Sequence, residues 1–243
     1  MPSAPRAFWG EVWGTFLLVL LTVGSAANAV LQPRLFPGAY GYDALALGSG
    51  LAVLVGVLVS RPLSGAHLNP AVTLALAALR LFPWSRVPLY LLAQFLGGFL
   101  GALGAYLAYG EGLWAQGMPN VFSTGPGFLR TPPEATYGWA GPAVAEFLGT
   151  MALMGVILAA REERLLPLWL ALTVAAVGYG LGGPGGFALN PARDLSPRLL
   201  AALLGAEGAL NAYALVPALL PVAGALGAAF LYRLTTPAPP PRE

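Results

Sequence analysis

Apolar residues gather along this chain in long, nearly charge-free runs, with arginines spread thinly at their ends. Six such runs, near residues 8–31, 43–60, 87–109, 142–160, 165–183 and 211–233, each approach the ~20 residues that ~30 Å of hydrocarbon requires. Each predicts a membrane-spanning helix. Two further stretches, Leu68 to Leu79 and Asn190 to Leu204, are too short to cross. A helix of about 12 residues is roughly 18 Å long, so each reads as a re-entrant half-helix that ends at the midplane. The pattern predicts an all-α membrane protein of six transmembrane helices plus two half-helices lying end to end.

Both half-helices open on the same tripeptide. Asn69-Pro70-Ala71 stands in Ser-Gly-Ala-His-Leu-Asn-Pro-Ala-Val-Thr, and Asn190-Pro191-Ala192 in Gly-Phe-Ala-Leu-Asn-Pro-Ala-Arg-Asp. Asn is a favoured N-cap and Pro a favoured first helical residue, so each copy marks a helix start. Non-helical backbone at bilayer depth must be buried in protein or line a water-filled cavity, which turns the loops before Asn69 and Asn190 toward a channel. The repeat extends further: Glu11-Val12-Trp13-Gly14-Thr15 is answered by Glu146-Phe147-Leu148-Gly149-Thr150. Three spans per copy reverse the second copy, giving an inverted repeat whose half-helices enter from opposite sides. Residues 1–110 form the first repeat, 111–141 a Pro-, Gly- and Thr-rich external connection and 142–233 the second repeat. Residues 234–243 form a Pro-rich tail expected to be disordered.

Composition fixes the solvent. The chain is 57% hydrophobic and 9% charged, with a mean hydropathy of +0.72, and its N-terminal segment lacks the charged region and cleavage site of a signal peptide, so the first span is expected to stay. Without cysteine, and with His67 as the one histidine, no disulfide framework and no thiolate or imidazole metal cluster is available. No metal or cofactor is expected. The net charge of +2, all from arginine, is too small to suggest nucleic acid. No nucleophile and base stand at compatible positions, which argues against an enzyme. Counting arginines with the N-terminus inside puts Arg6, Arg61, Arg80, Arg86, Arg161, Arg164, Arg233 and Arg242 in the cytoplasm and Arg34, Arg130, Arg193 and Arg198 outside. Both termini are therefore expected in the cytoplasm, with the plasma (inner) membrane as the host bilayer.

Two half-helix N-termini aimed at one midplane place about half a positive charge each at the centre of a pore, which disfavours cations and hydronium. Asn69 and Asn190 are suited to cap their own helices through the side-chain oxygen while the amide NH2 donates into the lumen. The residues before each Asn, Gly65-Ala66-His67 and Gly186 with Ala188 and Leu189, are expected to run extended and turn carbonyls inward as a ladder of acceptors. Central donors flanked by acceptors suit water or a polyol.

The two loops, the Glu-x-x-Gly-Thr pair, the six spans and Gln94 in the third span together resemble the aquaporin, or major intrinsic protein, family over nearly the whole chain. The resemblance implies an aquaporin-like fold, a homotetramer in membrane lipid with one pore per subunit, and a constriction outside the pore centre. By alignment on the two Asn residues that constriction falls on Ser49, Gly178, Phe187 and Arg193. This set, with Asp194, Arg198 and Pro217-Ala218, is similar to the glycerol-facilitator branch. Ser49 departs from it, since that branch usually carries Trp there to form an apolar corner with the Phe.

Several residues admit two readings. Arg193 is a pore-lining donor and cation barrier or simply the partner of Asp194, and its depth in the membrane favours the first. Asp194 either stabilises the first turn of its half-helix or supports the filter. Glu11 and Glu146 are either proton-pathway groups or acceptors for the amides of the re-entrant loops, and their repeat-related positions favour the second. Gly10 with Gly14, and Gly97 with Gly101, mark close helix contacts within or between subunits. The expected function is a passive channel for water and small uncharged solutes such as glycerol that excludes protons and ions. A water-selective channel is the alternative within that class, and an inverted-repeat secondary transporter the alternative outside it.

Overall fold

The computed structural model describes residues 2–31, 40–110, 112, 121–125 and 138–236. Among them are eight α-helices and no strand: α1 (Ala4–Leu31), α2 (Tyr42–Ser64), α3 (Pro70–Ala78), α4 (Val87–Tyr109), α5 (Ala140–Ala160), α6 (Leu166–Leu181), α7 (Pro191–Leu203) and α8 (Leu215–Thr235). Five helices, α1, α2, α4, α5 and α8, are long and apolar enough to cross a membrane. Helix α6 is apolar but has 16 residues, about 24 Å by helical rise. Burial is inverted relative to a water-soluble protein, with Trp9, Leu107 and Phe230 exposed while Glu11, Gln94, Glu146 and Asp194 are buried. Lipid is the medium that makes this arrangement favourable.

Helix α1 packs between α2 and α4, and α5 between α6 and α8; α2 and α6 join the two groups. The half-helices exchange sides, with α3 lying mainly against α8 and α7 against α4, so each is held by a helix remote in sequence. Small residues permit the close approaches, and those approaches are within the chain. A methyl group at Gly10 would meet Leu63 Cβ at 2.7 Å, and one at Gly14 would meet Ser60 Oγ and Leu68 Cδ2 at 2.6 Å. On the other flank of α1, Gly97 and Gly101 rest against the Val12 and Phe16 carbonyls.

Boundaries differ from the expected ones for local reasons. Helix α1 starts four positions before residue 8, at Ala4, because Pro5 in a first turn loses no hydrogen bond. Helix α2 runs through Arg61 and Pro62 to Ser64 and stops where Gly65 turns left-handed at φ 90°, its N–H reaching the Arg61 carbonyl. The first half-helix begins at Pro70 rather than Leu68, whose φ of 52° is not helical. Helix α8 takes in residues 234 and 235 of the expected tail. Residues 237–243 of that tail, most of the 111–141 connection, Arg34, Arg130 and Arg242 lie outside the described residues. Within the connection, Val121 to Thr124 are buried, and Thr124 reaches α7 through Asp194.

Candidate functional site

The loops ahead of α3 and α7 have the same backbone at the same offsets from Asn. Gly65 and Gly186, four residues before, both have φ 90°; Ala66 (59°) and Phe187 (44°) follow, and Leu68 (52°) and Leu189 (57°) directly precede Asn69 and Asn190. Three left-handed residues in five, two of them carrying side chains, make the segments kinked rather than extended. At the two positions that carry side chains such backbone costs on the order of 1–3 kcal/mol per residue and persists only where its surroundings over-determine it.

A buried carboxylate holds each loop. Glu11 accepts from His67 N–H (3.0 Å) and Leu68 N–H (2.7 Å), and Glu146 from Ala188 N–H (2.6 Å) and Leu189 N–H (2.7 Å). These are the two amides ahead of Asn in both cases. Glu11 takes further donors from Ser64 Oγ and Gln94 Nε2, and Gln94 also reaches Thr73 Oγ1 at 2.9 Å. One turn on from each Glu, Gly14 and Gly149 leave room for the leucine before Asn: an added methyl would lie 2.6 Å from Leu68 Cδ2 and 2.7 Å from Leu189 Cδ2. The Glu-x-x-Gly spacing thus fixes loop backbone and loop side chain from one helix face.

Asn69 Oδ1 accepts from Ala71 N–H at 2.9 Å, and Asn190 Oδ1 from Ala192 and Arg193 N–H at 3.0 and 3.2 Å, with Pro70 and Pro191 as first helical residues. Their amides cross-link the loops, Asn69 Nδ2 donating to the Leu189 carbonyl (2.9 Å) and Asn190 Nδ2 to the Leu68 carbonyl (2.7 Å). One amide hydrogen of each Asn is thereby used between the loops, and one remains for the lumen. Leu189, expected among the ladder acceptors, borders the cavity and spends one of its two carbonyl lone pairs on Asn69, and Leu68, which does the same toward Asn190, was not among the expected acceptors. Its equivalence to Leu189 in the repeat was the available signal.

One cavity of about 510 Å³ runs past these groups. Its wall includes Arg61 and Arg161 toward the C-terminal end of α2, then Gly65, Ala66, His67, Asn69, Ala188, Leu189 and Asn190, and then Ser49, Phe187 and Arg193. Ser49 and Arg61 are 12 positions apart on α2, so the cavity extends over roughly 18 Å. Pro70, Ala71, Pro191, Ala192, Gly186, Glu11, Glu146, Gln94 and Asp194 stand behind the wall. Gly178 also lies behind it, where a methyl would meet Ala46 Cβ at 2.9 Å and Phe187 Cζ at 3.1 Å. The His67 ring packs on Phe82 and Tyr90 with Nδ1 3.1 Å from Thr73 Oγ1.

Arg193 is 6% exposed, with Nη1 3.6 Å from Asp194 Oδ2. Asp194 is occupied beyond that pair: it accepts from Thr124 N–H and Oγ1 at 2.8 and 2.7 Å and from Arg198 Nε, and Arg198 continues to the carbonyls of Thr124 and Ala209. This network ties the buried piece of the connection to α7. Two residues the sequence did not flag also meet the site, Thr124 through Asp194 and Tyr42 through Phe187. The Tyr42 hydroxyl donates to the Gly178 carbonyl at 2.6 Å, and its ring meets Phe187 edge-on at 6.2 Å and 85°.

The family model described as major intrinsic protein matches residues 1–232. A probable glycerol uptake facilitator protein of Thermotoga maritima is 38% identical over 236 residues, covering 93% of this chain and 97% of the relative. The glycerol uptake facilitator protein 3 of Lactiplantibacillus plantarum is 40% identical over 232 residues, covering 90% and 92%. Among solved structures, the aquaglyceroporin from Plasmodium falciparum superposes with a TM-score of 0.85 at 33% identity, over 96% of this chain and 97% of that one. Family match, helix order and paired half-helices agree: the chain is an integral, multi-pass membrane protein and belongs to the major intrinsic protein family.

Proposed function

We propose that this protein is a passive channel for glycerol, other small uncharged solutes and water that excludes protons and ions, and that it performs no covalent chemistry. The observation that carries the reading is the cavity that passes two half-helix N-termini joined through Asn69 and Asn190. The names of the relatives, glycerol uptake facilitators and an aquaglyceroporin, support the solute class.

In this reading Asn69-Pro70-Ala71 and Asn190-Pro191-Ala192 form the central constriction. Carbonyls of Gly65, Ala66, His67, Ala188 and Leu189 are the acceptors along the path, with Gly186 turning the second loop behind them. Ser49, Gly178, Phe187 and Arg193 form the selectivity filter, with Gly178 acting by leaving space for the Phe187 ring. Glu11, Glu146, Gln94 and Asp194 support the loops. The repeats are 1–110 and 142–233. The protein sits in the plasma (inner) membrane with both termini cytoplasmic, and exposed apolar faces such as that of Leu107 and Phe230 meet lipid or neighbouring copies in a homotetramer.

A water-selective channel is disfavoured because Ser49 and Gly178 supply no bulk to narrow the filter. A coupled transporter is disfavoured because each oxygen of Glu11 and Glu146 already accepts a loop amide. Stopped-flow light scattering on proteoliposomes tests the reading: glycerol and water permeabilities should both exceed those of empty liposomes and be unaffected by a proton or sodium gradient. Flux that follows such a gradient, or water flux without glycerol flux, overturns it.

A further inference from the structure

Ser49 is 97% buried by its 3% exposure, belongs to the cavity wall, and has an Oγ with no hydrogen-bond partner among the described residues. Leu18 and Thr22 are one turn apart on α1, Ser49 and Val53 one turn apart on α2, and all four border the cavity, with Thr22 also 3% exposed. The wall therefore carries one hydroxyl-bearing residue from each of α1 and α2. A buried hydroxyl without a partner is destabilising, and on a cavity wall it is a group that a hydroxyl of a passing solute can satisfy. The oxygen itself is covered as placed, and rotation about χ1 among three staggered positions is the movement that would present it to the cavity.

Resting on the channel reading above, we infer that Ser49 and Thr22 form a second polar subsite beside Phe187, separate from Arg193, that takes one more hydroxyl of the passing solute. Arg193 and the loop carbonyls serve hydroxyls on one edge of a polyol. A hydroxyl pair on the α1–α2 side serves the other edge. The solute that gains most is one with hydroxyls on both edges and a longer carbon chain than glycerol, an acyclic four-carbon polyol.

The test compares swelling rates of proteoliposomes containing the intact protein in erythritol and in glycerol, for wild type, Ser49→Ala and the near-isosteric Thr22→Val, with Ser49→Thr as the hydroxyl-keeping control. Neither Ser49→Ala nor Thr22→Val narrows the opening, so size sieving alone predicts no loss for the larger solute. Wild type should conduct erythritol, and each hydroxyl deletion should lower the erythritol-to-glycerol ratio by about fivefold, the worth of one net hydrogen bond, while Ser49→Thr keeps it. A ratio unchanged in both deletions, or wild-type glycerol flux without erythritol flux, overturns the subsite and leaves the channel intact. Absence of glycerol flux from wild type overturns the channel reading and the subsite with it.

Discussion

The side-chain amide of Asn69 donates to the backbone carbonyl of Leu189 at 2.9 Å, across 120 positions of sequence. Two roles meet in that side chain, since its oxygen caps α3 while its nitrogen ties α3 to the loop ahead of α7. Asn69→Asp separates them. Aspartate keeps the capping oxygen but faces the Leu189 carbonyl with an acceptor, and it sets a negative charge where the half-helix ends exclude cations. The expected outcome is a loss of about 1–3 kcal/mol, read as a lower melting temperature in detergent, with increased cation leak in proteoliposomes. An unchanged melting temperature would show that the inter-loop bond contributes nothing.

Glu146 offers one oxygen to each of two loop amides. Glutamine in its place has one acceptor oxygen, and its NH2 opposes the second amide. Glu146→Gln should therefore destabilise by about 1–3 kcal/mol and lower solute flux as the left-handed loop relaxes. A coupling carboxylate would behave differently, losing gradient dependence with stability intact. Thermal unfolding followed beside flux separates the two.

The spans, half-helix starts and paired Glu-x-x-Gly-Thr segments were legible because each is written locally: apolar length, an Asn cap before Pro, or one helix turn between Glu and Gly. Less legible was the loop backbone. Nothing in Ala66, Leu68, Phe187 or Leu189 as residue types announces positive φ, because the conformation is imposed from outside by Glu11 and Glu146. Tyr42 was missed for a similar reason. It stands seven positions before Ser49, on the same face of α2 about 10.5 Å away, but its partners come from α6 and the second loop. The buried Thr124 shows the opposite error, where Pro and Gly content described a loop and concealed a ligand of Asp194.

Arg193 can be removed without stranding its neighbour. Asp194 retains Thr124 and Arg198, so Arg193→Ala is expected to fold, keep substantial water and glycerol flux, and raise proton or cation leak several-fold by removing a fixed charge from the wall. Proton flux measured with an entrapped pH dye is the check. A folded variant with abolished water flux and unchanged leak would assign Arg193 a purely structural role.

Tyr42 holds the Phe187 ring from behind the wall, by an edge contact and by its hydroxyl bond to the Gly178 carbonyl beside the same ring. Phe187 sits on left-handed backbone at φ 44°, so its ring direction depends on what surrounds it. Tyr42→Phe removes the bond and keeps the ring contact, while Tyr42→Ala removes both. The first should cost about 0.5–1.5 kcal/mol with a small change in solute discrimination. The second should add the loss of an aromatic pair worth about 0.5–1.5 kcal/mol and free the ring to tilt. Discrimination between glycerol and bulkier solutes should then fall more than water flux changes. Solute permeabilities measured in matched proteoliposomes distinguish this from simple destabilisation, which lowers the active fraction and scales every flux alike. If Tyr42→Ala scales all fluxes by one factor, Tyr42 supports the fold and leaves the position of Phe187 to Gly178 and Ala46.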